Sequence, residues 1–475
     1  MVTTRRQHQL QDDLAAFPEP KLVANGKPIP IDRTCELRVD SNGNSDSAES
    51  TTYNSDPDVP PTYTIDLSLP PDQRYIKLAA DFKPRLRELT SLFDEVIEST
   101  GIENVERVRS LARLFLRGVY SREQTEELRG ISRTIGVDMY LLVALNTLLD
   151  VLMGCTSGGA RVRDESISRM LHFRVLDWGM DALRHVVVNL EFIQSPNSKV
   201  IARSVTYVGF VGVLTGVRLF TLLRKRVSFG FFADIRRNNL SVSLNVRPNH
   251  DQSSVWSELK FRGHHLLMLL GYRPTLSSIL RSYIIPEYHH HFFSGKWYPS
   301  AKPLPDLETI TKDFPSTPST AAYIIASSGQ VTTVFEKDRV TSNIRSSRSF
   351  IVATNHDNIV EPTPGTEFSK SQTPQARLRM EALMDLIADS TDRQTRLEKR
   401  WGKAKRTFKK THPRTSGEDM YITQKELSTW LQEYPTTNES THFACIMDPE
   451  RGEMVWLRRW KDFVYDQSIL VDPVQ

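Results

Sequence analysis

Cys155, Arg174 and Asp177 stand close together in a chain of 475 residues, in Met153-Gly-Cys-Thr-Ser and His172-Phe-Arg-Val-Leu-Asp-Trp. A free thiol has a pKa of about 8.5, so it becomes a nucleophile only with a base or a cation beside it. Taken alone, Cys155 reads better as packed core, because unpaired cysteine is among the most buried residue types. Met170, His172 and Arg174 alternate with Leu171, Phe173 and Val175, which is strand spacing. That spacing puts Arg174 on a polar face and Asp177 just beyond it, at the strand's end. By residue type alone, an ion pair at a strand end accounts for both.

Several elements must position these groups. Tyr140 to Val151 is apolar on almost every side, which predicts a buried helix with Asn146 and Asp150 sharing one face. Gly154 is expected to end it, since glycine accepts positive φ. Residues 1–60 read as a disordered tail, with Asp40 to Asp58 nearly all Ser, Asn, Asp, Gly and Thr. Order is expected from Pro61, where Thr62, Thr64 and Asp66 alternate with Tyr63, Ile65 and Leu67 until Pro70-Pro71. A helical pattern follows between Arg74 and Arg133. Strands are predicted near 186–193, 200–207, 211–215, 240–245, 323–326, 331–335 and 350–354, with helices over 259–270 and 274–285. Thr423 and Glu426 form a capping box, and 443–460 reads as a hairpin around Pro449 and Gly452. Pattern alone supports a mixed α+β fold.

Composition removes some functions. A net charge of +4 is too mild to imply a nucleic-acid partner. Cys35, Cys155 and Cys445 are an odd number and make no disulfide framework. Arg5 and Arg6 are followed by Gln and Asp instead of an apolar stretch, and no run approaches 18 apolar residues. An intracellular, cytoplasmic setting is expected. His264, His265, His289, His290 and His291 do not have ligand spacing, so neither a metal nor a cofactor is expected. The basic run from Arg393 to Lys410 reads as a solvated helix face, with attraction to anionic lipid as the sharper alternative.

Gly-Cys-Thr-Ser and Phe-Arg-Val-Leu-Asp-Trp-Gly, spaced as they are, resemble the acid ceramidase and N-acylethanolamine acid amidase family of N-terminal-nucleophile cysteine hydrolases. The strand Tyr63-Thr-Ile-Asp-Leu-Ser-Leu-Pro-Pro and Phe350 to Asp357, Phe-Ile-Val-Ala-Thr-Asn-His-Asp, carry the resemblance further. It implies a four-layer αββα fold, with two antiparallel sheets between helical layers. It also implies a precursor that cuts itself between Gly154 and Cys155. The freed α-amine, whose ordinary pKa is about 7.7–8.0, then serves as base for the thiol on the same residue. By the resemblance, Arg174 orients thiolate and substrate, Asp177 holds the ammonium and Asn355 lends its amide N–H₂ to an oxyanion hole. A further arginine follows Asn355, with Arg377 favoured over Arg379. Asn245 and Arg247 take the substrate-binding positions.

The resemblance divides the chain into a tail (1–60), a small-chain segment (61–154) and a nucleophile core (155–475) whose cleavage fragments stay associated. It implies hydrolysis of a long-chain acyl amide, ceramide or an N-acylethanolamine. An acyltransferase and a catalytically silent lipid-binding relative are the alternatives. Two departures bear on them. Relatives usually carry Asn-Glu-Arg where this chain has Asn245-Val246-Arg247, and Phe220 to Arg237 is an insert, apolar and basic enough for a peripheral membrane contact.

Overall fold

The computed structural model describes residues 56–88, 105–148, 154–164, 167–219, 239–251, 253–291, 293–357, 374–413 and 420–461, the side chains at 88, 105, 148 and 374–383 excepted. The expected tail up to residue 55, Asp150 and the insert Phe220 to Arg237 lie outside these residues. The described residues start at Asp56, a few residues before Pro61. The Asp58 carbonyl accepts the Arg459 N–H at 2.7 Å, and its carboxylate pairs with Arg458 at 2.9 Å.

β1 (Thr62–Asp66) has the expected alternation and buries Tyr63 and Ile65. The helical pattern after it becomes α1 (Ile76–Asp81), α2 (Lys83–Glu88), α3 (Val105–Phe115) and α4 (Arg122–Ile135). α4 starts where Ser121 accepts the Gln124 N–H, and stops at Gly136, whose φ of 74° suits glycine. α5 (Met139–Leu148) is the anticipated apolar helix, but Gly154 does not cap it. Gly154 instead opens β2 (Gly154–Asp164), paired across from Asp177 at the end of β3 (Ile167–Asp177). Cys155 therefore lies on a strand, where the ladder with β3 satisfies its neighbours' backbone groups.

β4 (Val187–Ile193) and β5 (Ala202–Tyr207) follow as read. The strand expected over 211–215 starts later, as β6 (Thr215–Arg218). The Phe210 N–H turns back to Tyr207 and the Val213 N–H bonds Ser277, which draws that stretch out of the ladder. Next come β7 (Leu240–Val246), α6 (Val255–Leu269), α7 (Leu276–Ile284), an unforeseen hairpin of β8 (Tyr288–His290) and β9 (Trp297–Pro299), and α8 (Leu307–Asp313). β10 (Ala322–Ser327), β11 (Thr332–Lys337), β12 (Ser342–Ser347) and β13 (Phe350–Ala353) precede the long α9 (Pro374–Thr411). α10 (Gln424–Gln432) carries the expected Thr423–Glu426 capping box, and β14 (Thr441–Asp448) and β15 (Glu453–Arg459) form the terminal hairpin.

Among the described residues one sheet has eight strands, in the order β1-β4-β5-β6-β7-β10-β11-β12, and a second has five, β13-β2-β3-β14-β15. Helices α4, α5 and α7 cover the outer face of the first sheet, and α9 and α10 that of the second. This is an α+β fold with the expected αββα layering. The first sheet is not wholly antiparallel, because β1 joins β4 in parallel at its edge. The two sheets approach closely where β2 has Gly159, since a Cβ there would lie 2.1 Å from Thr332 Oγ1 of β11. Gly158 faces the other way, and a Cβ there would lie 2.1 Å from the Ile351 carbonyl oxygen of β13, its neighbour in the same sheet. Those two positions need glycine for space.

Away from the sheets, α4 and α7 enclose a charge cluster. Glu127 is fully buried, and its carboxylate takes Arg281 at 2.7 Å and Arg74 at 3.0 Å. Glu123 also pairs with Arg74 and accepts the Tyr288 N–H. Removing one partner from such a cluster leaves a buried charge uncompensated. Glu127→Gln should therefore lower the unfolding free energy by about 3–5 kcal/mol. Urea denaturation checks it, as a lower midpoint with an unchanged slope.

Candidate active site

The ladder between β2 and β3 sorts the site residues onto two faces. Cys155 lies opposite Leu176, and Ser157 opposite Arg174. Strand alternation sends Cys155, Ser157, His172 and Arg174 toward the first sheet, and Thr156 and Asp177 toward α9. The contacts agree with this. Ser157 Oγ donates to Asn245 Oδ1 at 2.7 Å, and the Arg174 guanidinium donates to the Leu244 carbonyl, both on β7.

Cys155 is wholly buried. Its sulfur accepts from Arg174 Nη2 at 3.1 Å and from the Val246 N–H. Burial pushes the thiol above its ordinary range, and Asp177 adds to this; Arg174, Arg393 and the Val246 N–H pull it down. Arg174 is also fully buried. Its Nε has no hydrogen-bond partner, and no carboxylate among the described residues lies within salt-bridge distance of it. A dry guanidinium without a counter-ion favours an anion next to it, and the nearest group able to become one is the thiol.

On the other face, the Asp177 carboxylate takes Arg393 Nη1 at 2.6 Å and the Thr441 hydroxyl at 2.7 Å. Burial raises this carboxyl above the usual range, against the pull of both partners. Arg393 also reaches Thr156 Oγ1 at 3.2 Å and Asn355 Oδ1 at 3.1 Å. Asn355 joins the two faces. Its Oδ1 accepts the Cys155 N–H at 2.8 Å, and its Nδ2 donates to the Val246 carbonyl at 2.9 Å. Two donors converge on the oxygen and an acceptor faces the nitrogen, which determines the amide's orientation. The side chain therefore presents its carbonyl oxygen to Cys155, not the N–H₂ expected of an oxyanion donor.

The other expected residues divide. Asn245 is inside the site, its Nδ2 donating to the Ala353 carbonyl at 3.0 Å. Arg247 is held by Asp357 through a two-pronged contact at 2.7 and 2.9 Å, and Tyr323 donates to the same carboxylate at 2.7 Å. It anchors the loop that carries Asn355. Arg377 and Arg379 fall in α9, where their side chains lie outside the described residues. The arginine that reaches the site is Arg393, which opens the basic run expected on a solvated face. A signal was present: Ser390, Arg393, Gln394 and Leu397 share one side of the helix, and all four are buried.

The remaining candidates are structural. Cys445 lies across from Arg174 in β14, and burial pushes its thiol up to about 12. His172 bridges Ser241 at 2.8 Å and Ser243 at 2.9 Å, and burial with Arg174 nearby lowers it to about 3, so it is a neutral bolt between the sheets. Among the described residues no group of His, Cys, Asp or Glu could hold a metal ion, and no helix is long and apolar enough to cross a membrane.

Comparison with known proteins gives one direction. Residues 58–120 match the family described as the beta subunit of N-acylethanolamine-hydrolyzing acid amidase. Acid ceramidase of Mus musculus is 28% identical over 189 residues, covering 35% of this chain and 46% of the relative. Acid ceramidase of Heterocephalus glaber is 26% identical over 174 residues, covering 33% and 42%. The match thus spans under half the length of these curated relatives. Among solved structures, the Caenorhabditis elegans N-acylethanolamine-hydrolyzing acid amidase ortholog aligns over 62% of this chain and 93% of its own, at 18% identity and a TM-score of 0.38.

The Arg393–Asp177 pair makes a signed prediction. In Arg393→Met the buried carboxyl loses its cation, so its pKa rises further above the unfolded value. Stability is then present below the unfolded value of about 3.9 and is lost as pH rises through the higher folded one. The variant should be destabilised by about 3–5 kcal/mol at neutral pH and by less near pH 4. Urea unfolding at the two pH values measures the difference.

Proposed function

This chain belongs to the acid ceramidase and N-acylethanolamine acid amidase family, and from that kinship we propose that it is an amidohydrolase of long-chain acyl amides working through Cys155. The observation that carries the reading is the setting of that residue. Its sulfur lies 3.1 Å from a buried Arg174 that has no salt-bridge partner among the described residues, and its nitrogen is held at 2.8 Å by Asn355 Oδ1. A structural cysteine needs neither contact.

The chemistry begins with self-cleavage. The thiolate, stabilised by Arg174 and the Val246 N–H, attacks the Gly154 carbonyl carbon. The C–N bond breaks as a thioester forms, and the proton from the thiol goes to the departing nitrogen. Water then hydrolyses the thioester, leaving a Gly154 carboxylate and a Cys155 with free amine and free thiol. That amine sits against Asn355 Oδ1, close to the thiol whose proton it takes in each later turnover. Asp177 acts at one remove, fixing Arg393, which shares the Asn355 oxygen.

In turnover the thiolate attacks the acyl carbonyl, the ammonium protonates the leaving amine, and water releases the fatty acid. Because Cys155 is fully buried in the uncut chain, the reading requires the cut before a lipid amide can reach it. Acyl transfer differs only in the last step, where an amine replaces water.

The test uses the full chain with labelled ceramide and N-acylethanolamine, with and without an added amine. Free fatty acid is expected, and a new amide would instead mark an acyltransferase. Intact mass should show a chain beginning at Cys155. Cys155→Ala should abolish both the cut and turnover; a Cys155→Ala protein that still hydrolyses either amide would refute the assignment.

A further inference from the structure

Asn355 is the residue through which both faces of the site meet, so what holds Asn355 matters as much as what it holds. Its backbone N–H donates to Ser390 Oγ on α9 at 2.7 Å. The same Oγ lies 2.8 Å from Nδ1 of His356, the next residue along. Ser390 is fully buried and stands three residues before Arg393, on the same side of the helix. A hydroxyl oxygen can accept twice, so the roles in this contact turn on the imidazole tautomer. With the Ser390 proton pointing at Nδ1, His356 is neutral and carries its ring proton on Nε2. Thr354 Oγ1, 3.1 Å from the same Nδ1 and 3.4 Å from Gln394 Oε1, closes the ring of contacts.

We propose that Ser390 and His356 are positioning residues, a hydroxyl–imidazole brace that holds Asn355 in register with the Cys155 nitrogen and makes turnover conditional on a neutral His356. The proposal rests on the Cys155 reading above and goes beyond it, since neither residue touches the reacting atoms. His356 is half-buried and is surrounded by charges of both signs, Asp357 on its own loop, Arg393 and Glu398 on α9, and Arg345 on β12. Burial is the largest influence and lowers its pKa from the ordinary value. Protonation would place a second donor on Nδ1, facing the Ser390 proton. The Ser390 proton would then have to turn away from the ring, and its oxygen would be shared between the Asn355 N–H and the imidazolium.

The sign follows from the lowered pKa. The neutral form is favoured by folding, so its contribution to stability is present above the unfolded value of about 6.5 and is lost as pH falls from there toward the folded value. His356→Asn keeps a hydrogen-bonding group near the Nδ1 position and does not titrate.

Four chains decide the matter: wild type, Ser390→Ala, His356→Asn, and the double variant. Urea unfolding at neutral pH should show non-additive losses for the two sites. Additive losses would overturn the brace, whatever the activity. In assays on labelled N-acylethanolamine, Ser390→Ala should lower kcat about tenfold with KM little changed, as a misplaced group does. His356→Asn should lower kcat at neutral pH by less than Ser390→Ala does, and lose the acid limb of the wild-type pH profile. Wild-type kcat in Ser390→Ala, or an unaltered acid limb in His356→Asn, would overturn the positioning role. A wild-type chain that neither cuts itself nor hydrolyses any amide would refute the Cys155 reading and the catalytic part of this proposal together. The unfolding cycle would still decide whether the brace exists.

Discussion

The Arg174 guanidinium is a full positive charge in a dry interior, with carbonyl and amide oxygens of β7 on one side and the Cys155 sulfur on the other. Burying a cation without a counter-ion is costly, and the surrounding structure reads as the means of tolerating it. Backbone carbonyls satisfy part of its donor fork, and strand β7 must lie close enough to supply them. That closeness is helped by Gly159, whose missing side chain leaves room for Thr332 of β11. His172, kept neutral between Ser241 and Ser243, holds the same seam without adding a second charge.

The opposite face of β2 and β3 solves the converse problem. Asp177 is an anion in the same interior, and it is matched by Arg393 and Thr441. The cation comes from a long helix and the hydroxyl from the terminal hairpin, so three distant parts of the chain must assemble before the carboxylate is tolerated. Asn355 links this compensated face to the uncompensated one, through a single oxygen that accepts from both Arg393 and Cys155. The difference in charge balance between the faces separates their roles. The side whose cation has no salt-bridge partner among the described residues offsets part of the burial that raises the Cys155 thiol, and the side with a matched pair holds geometry.

The departure at Val246 fits this division. In place of a carboxylate side chain the position contributes its backbone, N–H to the thiol and carbonyl to Asn355 Nδ2. Its side chain belongs to the apolar core. Alternation along β7 puts that side chain on the face opposite Asn245, so the residue type at 246 leaves the charge balance around Arg174 unaltered.

The sequence by itself determined the local parts. The alternation through Met170 to Asp177 specified a strand with Arg174 facing one way, because a two-residue period survives whatever the strand packs on. The capping box at Thr423 was legible because its partners are three residues apart. The motif around Cys155 was legible through resemblance, while the helix end assigned to Gly154 was not correct. An apolar run cannot reveal where a chain leaves a helix for a ladder whose other strand is still to come. Tertiary structure alone decided which arginine answers Asp177, since Arg393 lies 216 residues away and resembles its solvated neighbours in type. It also turned the Asn355 amide, drew Arg247 to Asp357, and brought the Asn355 N–H and His356 to one Ser390 hydroxyl. Each of these depends on a partner brought near by the packing of sheets and helices, and no local period encodes that distance.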